Sequence, residues 1–279
     1  MNVIYWKEKI KMENNYLYNS AVVPNTININ ESIIGGKEKV VIAGPCTFSS
    51  YKELYNIAHE LKKLGIKFLR GGAYKGRTNP YSFQGLQDEG IEILLRIKKE
   101  LDMYIVTELM TIEQVIKYSN GIDIIQVGSR NMYNYELLKE LGKTQKPILL
   151  KRGFSATYKE WLLACEYILK EGNYNVMLCE RGIRGFDSNE TRNVLDIQSI
   201  PYIKKHCRLP IFIDPSHASG KDYIVAPMSK AALIAGADGL IIEVHTNPKQ
   251  SLCDSEQTID INKLKEILEF KERMLKYEN

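Results

Sequence analysis

Eight short apolar runs, each trailed by a stretch of helical periodicity, limit what this chain can fold into more than any other feature. They read KVVIA (39–43), KFLR (67–70), MYIVT (103–107), DIIQV (123–127), PILLK (147–151), NVMLC (175–179), PIFID (210–214) and GLIIEV (239–244). Continuous apolarity without alternation is what strands buried on both faces require. Between the runs, segments such as YKELYNIAHELKKLG and YKEWLLACEYILKEG carry apolar residues at three-to-four spacing. Glycines suited to helix C-caps follow several of them, at Gly65, Gly142 and Gly172. Strand–helix units recurring at intervals of roughly 20 to 36 residues count out to an α/β fold, a (β/α)8 TIM barrel closed by the final helix INKLKEILEFKERMLKYE. An open doubly wound sheet fits less well, because no glycine-rich dinucleotide fingerprint follows any run.

Residues 1–37 stand outside this pattern, leaving 38–279 as the barrel. NTININESIIGGKEK alternates apolar and polar residues before breaking at Gly35-Gly36, which predicts a short N-terminal hairpin placed to plug the barrel's bottom end. Residues 1–20, rich in Asn and Tyr, read as a loosely held arm. The net charge of +4 comes with no Lys/Arg run longer than a pair, so no nucleic-acid partner is expected. Five cysteines without a CxxC pair suit a reducing compartment. With no signal peptide and no apolar stretch near the ~20 residues of a membrane helix, a cytoplasmic protein without a membrane partner is expected.

In such barrels the chemistry gathers where the strands end. Here the first run leads to Cys46, the second to Arg70, the third to Glu108, and the fourth to Gly128-Ser129-Arg130. The fifth ends in Lys151-Arg152, the sixth in Glu180-Arg181, the seventh in Asp214 and His217, the eighth in Glu243 and His245. Two subsets emerge. Arg70, Lys75, Arg77, Arg130, Lys151 and Arg181 would converge as cations on one mouth. Like charges at ~4 Å repel by about 4 kcal/mol at intermediate dielectric, so the cluster calls for anions, and phosphate matches guanidinium forks. Structural salt bridges to Glu108 or Glu180 are the plainer explanation for individual members. The second subset is Cys46, His217, Glu243 and Asp254, a mixed S/N/O set suited to a borderline divalent ion: Mn²⁺ first, with Fe²⁺, Co²⁺ and Zn²⁺ as alternatives. Cys46 as a nucleophile with His217 or His245 as its base is the competing reading. The other two histidines, His59 and His206, fall within helical patterns and read as surface residues.

The motifs AGPCTFSS, FLRGGAYKGRTNPYSFQGL, QVGSRNM, LLKRG, LCERGIRGF, IDPSHASG, IIEVH and DSEQ resemble, in the same order, those of 3-deoxy-D-arabino-heptulosonate 7-phosphate (DAHP) synthases of the type I-beta group. The resemblance implies a divalent-metal-dependent transferase. It condenses phosphoenolpyruvate with erythrose 4-phosphate and water to give DAHP and phosphate, the first step of the shikimate pathway. It maps the family's metal ligands onto Cys46, His217, Glu243 and Asp254, and its phosphoenolpyruvate site onto Arg70, Lys75, Arg130, Lys151 and Arg181, with Gly128 and Ser129 alongside. The sugar-phosphate site falls on Arg77 and Thr78. Lys75 is then the proton donor, Glu108 the residue that positions water, and Asp214 a catalytic group that orients His217. The family is commonly a homodimer or homotetramer.

Three residues depart from that resemblance. The family's Lys-Pro-Arg-Thr-Ser reads KGRTN here, with Gly76 for Pro and Asn79 for Ser, and Ser49 replaces a common Glu. Glycine frees the backbone, which predicts weaker sugar-phosphate binding. The chain also leaves no room for the regulatory or chorismate mutase domain of some relatives, so no feedback inhibition through one is expected. A KDO 8-phosphate synthase acting on arabinose 5-phosphate is the nearest alternative, disfavoured by Arg77, and a non-catalytic barrel that binds phosphometabolites is the alternative of another class.

Overall fold

A computed structural model describes residues 16–187 and 189–278. The alternating segment forms a hairpin of β1 (Ile27–Ile29) and β2 (Ser32–Ile34), paired antiparallel with Ile27 opposite Ile34. The eight apolar runs supply β3 (Val40–Gly44), β4 (Phe68–Arg70), β5 (Tyr104–Glu108), β6 (Ile124–Val127), β7 (Ile148–Lys151), β8 (Val176–Glu180), β9 (Ile211–Ile213) and β10 (Gly239–Glu243). Neighbours pair in parallel, and β10 meets both β9 and β3, closing the barrel.

Why the runs lack polar alternation is visible in the packing. Val40, Ile42, Phe68, Val106, Ile124, Leu149, Met177, Phe212 and Ile241 point inward and form one core. Their neighbours Val41, Leu69, Ile105, Ile125, Leu150, Leu178, Ile213 and Leu240 point outward into a second core beneath the helices. Period-2 side-chain alternation thus runs from one apolar environment to another. The hairpin belongs to the inner core, since Ile27, Ile29 and Ile34 are buried there. Gly35 lies against Pro210, just ahead of β9, so the hairpin enters at the end where the strands begin.

The covering helices are α1 (Tyr51–Lys63), α2 (Gln87–Leu101), α3 (Ile112–Tyr118), α4 (Tyr135–Lys143), α5 (Tyr158–Leu169), α6 (Ser199–His206), the short α7 (Pro215–Ser219), α8 (Asp222–Ile234) and α9 (Ile261–Glu278). Their starts are set by side-chain caps at Ser50, Thr111, Asn134 and Thr157, the last in a capping box with Glu160. Gly65 and Gly172 adopt the left-handed conformation beyond α1 and α5, as expected of capping glycines. Gly142 does not: it lies inside α4, and a Cβ there would meet Glu171 Cβ at 2.6 Å and Ile168 O at 2.8 Å. Its glycine serves close packing of α4 on the end of α5, not chain reversal.

The described part of the N-terminal arm is held. Tyr18 N donates to Glu166 Oε1 on α5 at 2.8 Å, and Tyr18 O accepts from Arg208 N at 2.8 Å. Residues 1–15, the rest of the predicted arm, lie outside the described residues. No described helix is long and apolar enough to cross a membrane.

Ile34→Ala removes a fully buried side chain from the barrel floor. It is expected to lower unfolding free energy by about 2–5 kcal/mol, measured by urea denaturation. A loss below ~0.5 kcal/mol, ordinary for a surface position, would show that the hairpin is not part of the core.

Candidate active site

A cavity of about 550 Å³ opens where the strands end. Arg70, Lys75, Arg77, Arg130, Lys151 and Arg181 all border it, so the six cations picked from the sequence do share one mouth. Glu108, Gly128, Ser129 and Thr78 border it as well. Gly128 also leaves space, since a Cβ there would lie 2.3 Å from Glu108 Oε1. The Glu108 carboxylate is steadied by Gln126 Nε2 at 3.2 Å.

Cys46, His217, Glu243 and Asp254 each contribute one donor atom to a group lying within 4.8 Å of one another. The Cys46 thiol donates to Asp254 Oδ2 at 3.1 Å, and its sulfur is 3.8 Å from His217 Nε2. Glu243 Oε1 is 3.1 Å from His217 Nε2. Asp214 sets the imidazole from behind. It caps α7 by accepting His217 N at 2.9 Å, and its Oδ2 takes His217 Nδ1–H at 2.8 Å. Nε2 is left with its lone pair toward the cluster.

The electrostatics of this group are those of a cation site. Burial pushes His217 down to about 4, so the ring is a neutral donor at neutral pH. Burial, reinforced by Cys46, raises Glu243 to about 7. The hydrogen bond with Cys253, together with burial, drives the Cys46 thiol well above its ordinary range. Nucleophilic attack and metal ligation both need the thiolate, and a bound cation is what would draw the proton off so buried a thiol. His245 stands apart, with Nε2 on Glu53 Oε1 at 3.0 Å. Gathered acidic donors of S and O type, completed by one neutral imidazole, fit a borderline divalent ion.

The cations divide into two sets. Arg70 pairs with Glu243 Oε1 at 3.1 Å, Lys75 with Asp254 Oδ2 at 3.3 Å and with the Cys46 sulfur, and Lys151 with Asp214 Oδ2 at 2.6 Å. Burial opposes the Lys75 charge, but Cys46, Cys253 and Asp254 outweigh it and hold the ammonium above its usual range. Arg77, Arg130 and Arg181, in contrast, have no carboxylate within ion-pair distance among the described residues. Arg181 is 3% exposed and its NH1 has no hydrogen-bond partner; nor has the buried Ser129 Oγ. The Arg181 and Arg130 guanidiniums lie 4.7 and 5.6 Å from the ring of Phe154, an apolar support that orients charge without neutralising it. Arg130 NH2 also reaches Thr78 Oγ at 3.3 Å.

Some polar residues at the strand ends stand back from the cavity, and some of its neighbours were not picked out from the sequence. Arg152 turns away from the cavity to pair with Glu180 and Asp196, each at 2.8 Å. Asp214 is fully buried behind His217 and Lys151 and does not border the cavity. Arg192 and Phe154 carried no signal, because they sit in loops without periodicity; Gln257 lies in the DSEQ motif, from which only Asp254 was assigned a role. Arg192 NH1 holds Asp254 Oδ1 at 3.0 Å.

The model of the DAHP synthetase I family matches residues 13–278. A phospho-2-dehydro-3-deoxyheptonate aldolase of Thermotoga maritima is 46% identical over 243 residues, covering 87% of this chain and 72% of its own length. A 2-dehydro-3-deoxyphosphooctonate aldolase of Desulfosudis oleivorans is 30% identical over 263 residues, 88% of this chain and 93% of that one. Among solved structures, the phospho-2-dehydro-3-deoxyheptonate aldolase (DAHP synthase) of Thermotoga maritima superposes with a TM-score of 0.88 at 43% identity, covering 92% of this chain and 75% of that chain. A truncated form of 3-deoxy-D-arabino-heptulosonate 7-phosphate synthase from the same organism gives 0.85 at 41%, covering 92% and 94%. The inner-core barrel, its end-on hairpin and the sequence motifs around the mouth all accord with that match, and the chain belongs to the DAHP synthetase I family.

Proposed function

We propose that the chain condenses phosphoenolpyruvate with erythrose 4-phosphate and water to give DAHP and inorganic phosphate, as a divalent-metal-dependent transferase at the entry to the shikimate route. The observation that carries the reading is the pairing of two features at one end of the barrel. Four S/N/O donors converge within 4.8 Å, and beside them a buried arginine and a buried serine hold donors without partners. Orphaned buried donors cost about 1–3 kcal/mol each, which an anionic substrate would recover.

A divalent ion on Cys46, His217, Glu243 and Asp254 would supply Lewis acidity toward the acceptor aldehyde. The protein's own groups divide the remaining work. Arg181, Arg130, Ser129, Lys151 and Arg70 hold the phosphate and carboxylate of phosphoenolpyruvate, while Arg77 and Thr78 take the sugar phosphate. As C3 of phosphoenolpyruvate bonds to the aldehyde carbon, the aldehyde oxygen gains charge and Lys75 delivers its proton. Glu108 orients the water that adds to C2 and accepts its proton. The C2 hydroxyl of the resulting hemiketal phosphate then passes its proton to the departing phosphate as the C2–O(phosphate) bond breaks, leaving the C2 ketone. Asp214 acts through others, keeping His217 in one tautomer and Lys151 in place.

Three outcomes test this. Chelated protein is expected to release no phosphate from the two substrates and to recover with Mn²⁺, Fe²⁺, Co²⁺ or Zn²⁺, and Cys46→Ala is expected to lower the activity of the metal-supplied protein by about 100-fold or more. The unaltered protein should prefer erythrose 4-phosphate to arabinose 5-phosphate. Undiminished turnover by the alanine variant in metal-stripped buffer would remove the metal from the reading, and a preference for the pentose would transfer the chain to the octulosonate reaction.

Arg181→Met should raise the KM for phosphoenolpyruvate by about 10- to 100-fold, from the loss of a charge-assisted hydrogen bond. An unchanged KM would take Arg181 out of the substrate site. At Gly76 a Cβ would meet only Met110 Sδ at 3.3 Å. Gly76→Pro should therefore stiffen the loop and lower the KM for erythrose 4-phosphate by about 2- to 5-fold. An equal or higher KM would show that loop entropy does not limit sugar binding.

A further inference from the structure

The loop after β8 folds back on itself, with Ile183 and Val194 exchanging backbone hydrogen bonds of 3.0 and 2.9 Å. The two residues before Val194 then run along α7, the helix that carries His217. Arg192 N donates to Ser219 O at 3.0 Å and Asn193 N to Ala218 O at 2.9 Å. Asn193 Nδ2 donates to His217 O at 3.1 Å. Gly220 permits this approach: a Cβ there would lie 2.5 Å from Arg192 Cβ, and its φ of +70° suits glycine.

From this anchorage Arg192 reaches the loop after β10. Its NH1 donates to Asp254 Oδ1 at 3.0 Å and to Gln257 Oε1 at 2.9 Å. A guanidinium can only donate, so the Gln257 oxygen must face Arg192 and the amide nitrogen must face the other way. That nitrogen donates to Glu243 Oε2 at 2.6 Å, and Gln257 is only 2% exposed. The second carboxylate oxygen, Oε1, is the one turned to His217 Nε2 and Arg70, each at 3.1 Å.

We propose that Gln257 is a positioning residue for the metal centre: oriented by Arg192, it ties down one oxygen of Glu243 so that the other points at the common centre of the four donors. The inference rests on the metal-dependent reading above. Groups that orient a ligand in this way are worth about 10- to 100-fold in metal affinity. Arg192 contributes to the same framework but also carries a charge that opposes a dication, so its removal mixes two effects of opposite sign. Gln257 is neutral, and its replacement reports orientation alone.

The test is titration of the metal-free full chain with Co²⁺, reading both the dissociation constant and the cobalt absorption bands. Gln257→Leu keeps side-chain bulk without the amide and should weaken binding about 10- to 100-fold, with altered bands as Glu243 loses its fixed direction. Gln257→Asn, one methylene too short to span Arg192 and Glu243, should weaken binding in the same direction and serves if the Leu variant folds poorly. Wild-type affinity with unchanged bands in the folded variants would overturn the positioning role and leave the metal centre standing. A wild-type chain that binds no Co²⁺ would overturn both.

Discussion

Acidic and basic groups interleave at the open end of the barrel, and that charge balance governs how the rest of the site is built. Glu243, Asp254 and Cys46 gather around His217, and left to themselves buried anionic donors repel. Arg70, Lys75 and Arg192 lie directly against them. Lys151 reaches the same network one step back, through Asp214. Several of the groups that would meet an anionic substrate are thus the groups that restrain the metal donors. Of the six cations picked from the sequence, Arg77, Arg130 and Arg181 have no carboxylate within ion-pair distance among the described residues, and two of these rest over Phe154.

A closed barrel suits such a site because it delivers eight strand ends to one rim on a rigid frame. Strand alternation then sorts adjacent residues. Lys151 faces the cavity, whereas Arg152 faces outward to Glu180 and Asp196. The inner core of Ile42, Phe68, Val106 and Phe212, closed below by the hairpin isoleucines, gives the mouth a packed apolar floor. Interactions between charges above that floor are stronger than they would be in water.

Much of this was legible before any coordinates. The eight runs announced the barrel because both faces of every strand are buried, which removes the polar alternation of an exposed sheet. The alternating TININES segment announced the hairpin because one face is buried and one is wet. The four donors and six cations could be picked out because each follows a strand end closely or falls within a motif, and the structure brings each group together. What stayed hidden depends on distances across loops. Gly142 looks like a helix stop until Glu171 is seen packed against it. Arg152 looks like one more rim cation until it is found paired with Glu180 and Asp196. Arg192 and Gln257, 65 residues apart in sequence, have no pattern that could link them; only the return of the β8 loop onto α7 does so.

The most direct measurement of the central claim, one dication shared by a cysteine, a histidine and two carboxylates, is X-ray absorption on the Zn²⁺-loaded chain. One sulfur scatterer at about 2.3 Å with nitrogen and oxygen neighbours at about 2.0–2.2 Å is expected, the sulfur disappearing in Cys46→Ala. A shell of nitrogen and oxygen alone in the unaltered protein, or a sulfur that survives the substitution, would contradict it.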